Sequence, residues 1–241
     1  MIDALLSELG KKLAERWLSL LVLPGLVFLA AAWCAYTLGH AHALDTALLV
    51  RTTRMKVSGA RLDAAGTASL VVVVLAGTAA VAQIVRALAE LVEHAWFLRR
   101  YGSPLTPQGR IMHELDTRLR AEYFGLRVAL IWPRLWLLLS DGQRQPIDAA
   151  RTALADSAVR AAWAIAYLAL GAFWWPALLA GSIQFAVAWF TAIRRVSAYA
   201  ILIESVIDIN QTELARAFGL ELPHGVITQR EADQINARVA K

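Results

Sequence analysis

The sequence predicts an all-α, polytopic membrane protein with four transmembrane helices and a small helical cytoplasmic subdomain. Of the 241 residues, 58% are hydrophobic, which exceeds the share that is usual for a soluble domain. Residues 159–193 form an almost uncharged run that is long enough for two helical crossings. The segment Gly171–Pro176 in the middle of this run predicts the turn between the two crossings, with a bend at the proline.

The chain is predicted to alternate between membrane and water in five segments. Apolar runs of about 20 residues define the crossings, and charged stretches define the connections. In chain order, we predict an amphipathic N-terminal helix (1–16), a first transmembrane pair (17–94, crossing at 17–38 and 67–88 with an external loop at 39–66), a cytoplasmic helical segment (95–157), a transmembrane hairpin (158–194, crossing at about 158–175 and 177–194) and cytoplasmic C-terminal helices (195–241).

The helix predicted at residues 1–16 has Ile2, Leu5 and Leu9 on one face and charged side chains on the other. Two interpretations are equally compatible with this pattern. The helix either docks on the bilayer or on a partner, or it packs under the chain's own membrane helices.

Basic residues predict the orientation. The external loop contains only four of the 24 Lys and Arg residues, and the turn around Trp174 and Trp175 contains none. The positive-inside rule therefore places both termini in the cytoplasm, in a bacterial inner membrane. The formal net charge of +5 is explained by this topology and by anionic lipid, so no nucleic-acid partner is predicted.

The cytoplasmic segments carry several local signals. Thr106 is predicted to cap a helix that starts at Pro107, and Pro146 to start a further helix. The fourth crossing is predicted to continue as one helix to about residue 218, followed by a Gly219 C-cap. A capping box of Thr228 and Glu231 is expected to open a short C-terminal helix.

Four further arginines, at positions 118, 120, 127 and 134, have two possible roles. They are either solvated, or they bind lipid phosphates or an acidic partner.

The apolar run 128–139 is too short to span a bilayer. It is an interfacial helix, a buried element or a re-entrant segment, and the sequence leaves these three open. Trp132 and Trp136 stand one turn apart with Arg134 between them, a pattern that suits the headgroup region. The predicted interfacial anchors are Trp132, Arg134, Trp136, Trp174 and Trp175.

A polar stripe is predicted at the end of the second crossing, where Gln83, Arg86 and Glu90 share one helical face. The stripe either lines a pore or ion path, or Arg86 extends to the membrane boundary and pairs with Glu90. Gln184, in the middle of the fourth predicted crossing, is a fourth candidate for such a path. Ala180 and Gly181 beside it are small enough to allow close helix packing.

No catalytic residue, metal site or cofactor is predicted. His40, His42 and Asp45 have metal-ligand chemistry but no evident fourth ligand. The trio of residues 113, 114 and 116 (His, Glu, Asp) fits a solvated helix face better than acid–base catalysis. Cys34 is the only cysteine, which excludes an intramolecular disulfide.

Part of the chain resembles a bacterial family. Tyr123-Phe124-Gly125-Leu126, Trp132-Pro133-Arg134-Leu135 and the region to Leu220-Glu221-Leu222-Pro223 resemble a pattern in uncharacterised multi-pass membrane proteins of actinobacterial type. The likeness covers about residues 120–223. It implies a Trp-Pro-Arg-Leu segment before a transmembrane hairpin and a charged C-terminal helix, and it implies no activity.

Three functional hypotheses follow. The first is a non-enzymatic membrane anchor, an interaction or regulatory partner for a cytoplasmic protein. The alternative is an oligomeric pore or channel-type membrane effector built on the polar stripe. The third is a lipid-directed enzyme that would use His94, His113 and Glu114. The predicted partners are the lipid bilayer and a cytoplasmic protein, a second copy of the chain, or both.

Overall fold

The computed structural model describes residues 22–59, 64–100, 102–222 and 225–239. Within these ranges the chain is helical apart from one two-residue antiparallel ladder, so the all-α prediction is confirmed with this small exception. The helix predicted at residues 1–16 lies outside the described ranges. The elements are α1 (Leu23–Leu38), α2 (Thr46–Gly59), α3 (Ala64–Trp96), β1 (Arg99–Arg100), β2 (Ser103–Pro104), α4 (Pro107–Glu122), α5 (Val128–Leu138), α6 (Asp141–Leu170), α7 (Trp175–Ile209), α8 (Gln211–Ala217) and α9 (Gln229–Val239).

Three described helices are long and apolar enough to cross a membrane, namely the Gly66–Trp96 part of α3, α6 and α7. Their length and composition fit a multi-pass membrane protein. Helices α1 and α5 are shorter apolar helices. The first predicted crossing begins at residue 17, so only its α1 portion is described, and a fourth crossing stays a prediction.

The hairpin turn lies within the predicted segment Gly171–Pro176. Helix α6 ends at Leu170 and α7 begins at Trp175, so the predicted crossing bounds of about 158–175 and 177–194 place the turn too late. Pro176 stands in the first turn of α7, where a helix makes no use of the backbone N–H that proline lacks. The proline therefore starts the second helix and does not bend the connection.

Three other predicted boundaries also change. The loop 39–66 contains a helix, α2, and Pro146 lies inside α6 instead of at its start. Helix α6 starts at Asp141 because Gln143 accepts hydrogen bonds from the Ser140 backbone N–H and hydroxyl, at 3.0 and 3.1 Å. The long helix predicted to residue 218 breaks at Asn210, whose buried side-chain amide donates to the Val206 carbonyl.

The chain forms two compact units. The first combines the chain up to Glu93 with Asp156–Trp189. In it, α1 packs tightly, because a Cβ added at Gly25 would lie 2.9 Å from Thr78 and 3.7 Å from the Trp163 ring. Phe28 contacts two rings of α6, with centroid distances of 5.9 Å to Trp163 and 5.3 Å to Tyr167.

The α6–α7 hairpin of the first unit is held together at small residues. A Cβ at Gly181 would lie 2.8 Å from the Leu168 nitrogen and 3.0 Å from the Ala164 oxygen. Gly181 therefore allows close helix packing within this chain, between α6 and α7. Ala180, next to it, is exposed.

The second unit combines His94–Ala155 with the chain from Phe190 onward. Residues from α4, α5, α6, α7, α8 and α9 form one hydrophobic core. Its most deeply buried large side chains are Leu119, Leu126, Ile131, Leu135, Ile147, Ile207, Leu214 and Ile235. The unit therefore has a core of its own, closed by helices distant in sequence.

Candidate functional site

The second unit contains a shallow groove of about 250 Å³. The apolar face of α4 forms one wall, as its helical spacing requires, and the start of α5 and the middle of α7 form the others. The lining side chains are Met112, Leu115, Asp116, Leu119, Val128, Ala129, Trp132, Tyr199 and Ile203. The groove is apolar at its floor and has one carboxylate and one phenol, so its volume and chemistry suit one or two apolar side chains.

Local signals place α4 at this groove. Thr106 caps the helix as predicted, accepting from the Gly109 N–H at 3.1 Å, and its hydroxyl donates to the Trp96 carbonyl. Gly109 is required here, because a Cβ would lie 2.9 Å from the Trp96 oxygen. Glu122 ends the helix, and the turn that follows uses a positive φ at Phe124 and at Gly125.

Charges at the rim of the groove are paired. Asp116 lies 3.0 Å from Arg120 on the same helix, and Glu204 of α7 lies 3.6 Å from Arg118. Such exposed pairs contribute little to stability, in general about 0–1 kcal/mol each.

A buried tyrosine at the end of α4 contacts α7 and α8. The Tyr123 hydroxyl donates to the Asp208 carboxylate and accepts from Gln211 Nε2 at 3.2 Å. Gln211 in turn accepts from the Ile227 N–H at 3.3 Å. Burial of the phenol, reinforced by its hydrogen bond to Asp208, raises the Tyr123 pKa well above its usual range.

The C-terminal helix α9 is attached to the turn between α4 and α5. Asn236 donates to the Gly125 carbonyl at 3.0 Å and accepts from the Arg127 N–H at 3.1 Å. The start of α9 has the predicted capping box, in which Glu231 accepts from the Thr228 N–H and hydroxyl. That hydroxyl contact lowers the Glu231 pKa.

The predicted interfacial anchors occupy different surroundings. Trp132 and Trp136 are both half-buried, with ring centroids 5.9 Å apart, while Arg134 is exposed. In the first unit, the Trp174 indole donates to the Ala43 carbonyl at 2.9 Å, and Trp175 is exposed. The structure thus brings the anchors together in two groups, and it makes Trp132 a wall of the groove.

The polar stripe points away from the interior of the first unit. Gln83, Arg86 and Glu90 are exposed, whereas Ala82, Val85 and Ala89 form a buried strip along the neighbouring face of α3. Within the part of the chain that the structure describes, no ion pair joins Arg86 to Glu90. Among the described residues, the stripe therefore lies on the surface of a single copy.

Gln184 is half-buried and lines a second groove, of about 520 Å³, in the first unit. The Tyr167 side chain lies in the same groove, and the other lining residues are apolar: Leu23, Pro24, Val27, Ala31 and Ala180. None of Gln83, Arg86 and Glu90 is among the described residues that line this groove.

Three of the remaining chemical candidates, His40, Asp45 and His113, have hydrogen-bond partners. His40 Nε2 donates to the Ala172 carbonyl at 2.9 Å, and Asp45 caps α2 by accepting from the Leu48 N–H. His113 Nδ1 accepts from Arg99 at 2.7 Å. Among the described residues, no group of three His, Cys, Asp or Glu side chains is arranged to hold a metal.

Sequence reasoning missed Arg144, Gln211 and Asn236, which make the contacts between elements in this unit. Each is a polar residue with no local pattern around it, and its partner lies in another element.

Comparisons with protein-family models, with curated proteins and with solved structures found no match. The resemblance around Trp132-Pro133-Arg134-Leu135 therefore remains an expectation.

Proposed function

We propose that this chain is a non-enzymatic multi-pass membrane protein whose second unit docks a soluble cytoplasmic protein. The observation that carries this proposal is the apolar groove of α4, α5 and α7, set in a unit with its own core. Helices α6 and α7 supply apolar membrane-crossing length to the chain.

The groove suits the side chains that dominate protein interfaces. An apolar anchor in a desolvated pocket usually supplies most of an interface's energy, while rim charges set orientation. Trp132 and Met112 offer flat and adaptable apolar surfaces, and Asp116 and Tyr199 offer polar contacts at the edge. A partner helix with one or two protruding apolar residues fits this arrangement.

The proposed topology has four crossings, with α1 completing the first, and both termini in the cytoplasm of a bacterial cell. It is supported by the basic residues of the second unit and the C-terminal region, which the positive-inside rule assigns to the cytoplasm. The second unit is then the cytoplasmic subdomain.

A photo-crosslinking residue at position 112 of the full-length protein, in native membranes, tests the docking. We expect a crosslink to one soluble protein of discrete mass. The matched control is position 117, where Thr117 is exposed on another face of the same helix. A Met112→Glu substitution, assayed from a second crosslinker at Ala129, should weaken the contact roughly tenfold or more, because it puts a charge into an apolar anchor site.

Crosslinks from position 112 to lipid alone, or equal products from 112 and 117, would contradict the docking proposal. Turnover of a lipid substrate by the purified protein in vesicles would contradict the non-enzymatic role.

An oligomeric pore is the second candidate, and the outward position of Gln83, Arg86 and Glu90 favours it specifically. Polar and ionisable groups near a bilayer are costly unless they are paired or hydrated, and neighbouring copies would supply that. A pore predicts a native mass of several copies in nanodiscs and a changed leakage from dye-loaded vesicles in Arg86→Gln. A monomer that leaves wild-type vesicles sealed contradicts it.

A further inference from the structure

Helix α5 has a face that belongs neither to the core nor to the groove. Ile131 and Leu135 are fully buried on the core side. Leu137 is 76% exposed on the opposite side, although it is a large apolar side chain. At 3.6 residues per turn the exposed residues form one continuous strip, which we name the outer face of α5: Leu130, Pro133, Arg134, Leu137 and Leu138.

The outer face carries a single charge, and that charge is positive. Arg134 Nη1 donates to the Leu130 carbonyl at 3.0 Å, which fixes the base of the guanidinium and leaves further N–H donors. Arg127, just before the helix, is also exposed. Asp141, just after it, pairs with Arg144 at 3.6 Å. The strip is therefore apolar with basic groups at its centre and at its start.

The end of α5 carries its own hydrogen-bond partners. Arg144 Nε donates to the Trp136 carbonyl at 3.1 Å, and its Nη2 donates to the Leu137 carbonyl at 3.2 Å. The last carbonyl groups of a helix normally depend on water. Since an unsatisfied carbonyl is costly next to hydrocarbon, a helix end capped in this way suits a poorly hydrated environment.

We propose that the outer face of α5 lies in the headgroup region of an anionic bilayer, with Leu130, Leu137 and Leu138 against acyl chains and Arg134 on a lipid phosphate. Charge complementarity favours lipid, because an apolar strip with one central guanidinium matches a surface of acyl chains and phosphates. The chain's own apolar helices also keep it at a bilayer, so the outer face of α5 meets lipid at a high effective concentration. The proposal goes beyond protein docking, since the groove uses a different face of α5.

A single fluorescent label reports which environment covers this face. In a full-length Cys34→Ser background, Leu137→Cys receives an environment-sensitive fluorophore, and Thr117→Cys on α4 is the matched control. Both sites are exposed, so neither substitution disturbs the core. The protein is reconstituted in phosphatidylcholine vesicles with or without an equal amount of phosphatidylglycerol. Quenching by brominated acyl chains is compared with quenching by aqueous iodide.

We expect the label at position 137 to be quenched by brominated lipid and protected from iodide, with the reverse at position 117. One basic side chain contributes about 1 kcal/mol at an anionic surface. Arg134→Gln should therefore reduce, roughly fivefold, the gain in protection of position 137 from iodide that phosphatidylglycerol produces, and Arg134→Lys should retain most of that gain.

Three results would contradict the proposal. Equal access of iodide to positions 137 and 117 would mean that the face is in water, and protection from both quenchers would mean that protein, such as a second copy, covers it. Identical behaviour of Arg134→Gln and the unsubstituted arginine in both vesicle types would overturn the phosphate contact.

Discussion

Replacing Tyr123 with phenylalanine should loosen the second unit. The substitution keeps the buried ring, which is only 4% exposed, and removes the hydroxyl that joins α4 to Asp208 and Gln211. A hydrogen bond to a charged group contributes about 1.5–3 kcal/mol. Asp208 is exposed and can be rehydrated, so we expect a loss near the lower end, about 1–2 kcal/mol, in the free energy of opening this unit.

Amide hydrogen exchange of the full-length protein in nanodiscs measures this loss locally. The Ile227 amide reports on the network, because its acceptor is the Gln211 side chain that the Tyr123 hydroxyl also contacts. A loss of one to two kcal/mol corresponds to roughly 5- to 30-fold faster exchange. Gly39 of the first unit, whose N–H bonds to the Ala35 carbonyl, is the internal control and should not change.

Tyr123→Phe should also remove a loss of stability of the second unit at alkaline pH. The folded-state pKa of Tyr123 is raised, so its stabilising effect is fully present below the unfolded pKa of about 10 and declines as the pH rises above it. Exchange at Ile227 should therefore accelerate above about pH 10 more steeply in the wild type than in Tyr123→Phe, after correction for intrinsic rates.

A double-mutant cycle with Asp208→Ala decides whether the hydrogen bond is responsible. Coupled residues show a non-additive effect, and independent residues show an additive one. If Tyr123→Phe leaves Ile227 exchange unchanged, or if the two substitutions add without coupling, the assignment of this network is wrong.

Two further predictions concern packing and capping. Gly181→Val should destabilise the hairpin by about 1–3 kcal/mol, because even its Cβ would lie 2.8 Å from the Leu168 nitrogen. Thermal unfolding in detergent measures this loss. An equal effect from Ala180→Val, at the adjacent exposed site, would refute the tight contact. Glu231→Gln should remove an acid-dependent fraying of α9, because the lowered Glu231 pKa gives stability that is present above about pH 4.3 and lost as the pH falls through the folded value. Exchange at Ala232 reports this change, and wild-type exchange that follows only the intrinsic rate on acidification would exclude it.

Short-range features of this chain were predictable because their determinants lie within a few residues. The Thr106 cap, the Thr228–Glu231 capping box and the positive φ of Gly219 each depend on neighbours in sequence. The apolar helices followed from composition and length alone. The boundary at Pro176 was wrong because a proline is compatible with both a bend and the first turn of a helix.

Long-range polar contacts could not be predicted, because sequence spacing does not show which elements meet. Tyr123 follows Leu119 at helical spacing and its ring is buried with it, but its hydroxyl partner Asp208 lies 85 positions away. Spacing placed Gln83 and Arg86 on one face, yet only the burial of Val85 shows that this face is the outer one.

Helix α5 shows why the sequence left its 128–139 run undecided among interfacial, buried and re-entrant. Each description assigns one environment to the whole segment, whereas the faces of the folded helix have different environments. Ile131 lies in the core, Trp132 lines the groove, and Leu137 projects outward. A helix buried on one side only can be apolar all round without spanning a bilayer, provided that its second apolar face has its own contact. If lipid supplies that contact, the groove on the third side is held close to the membrane surface, where a soluble partner would be recruited.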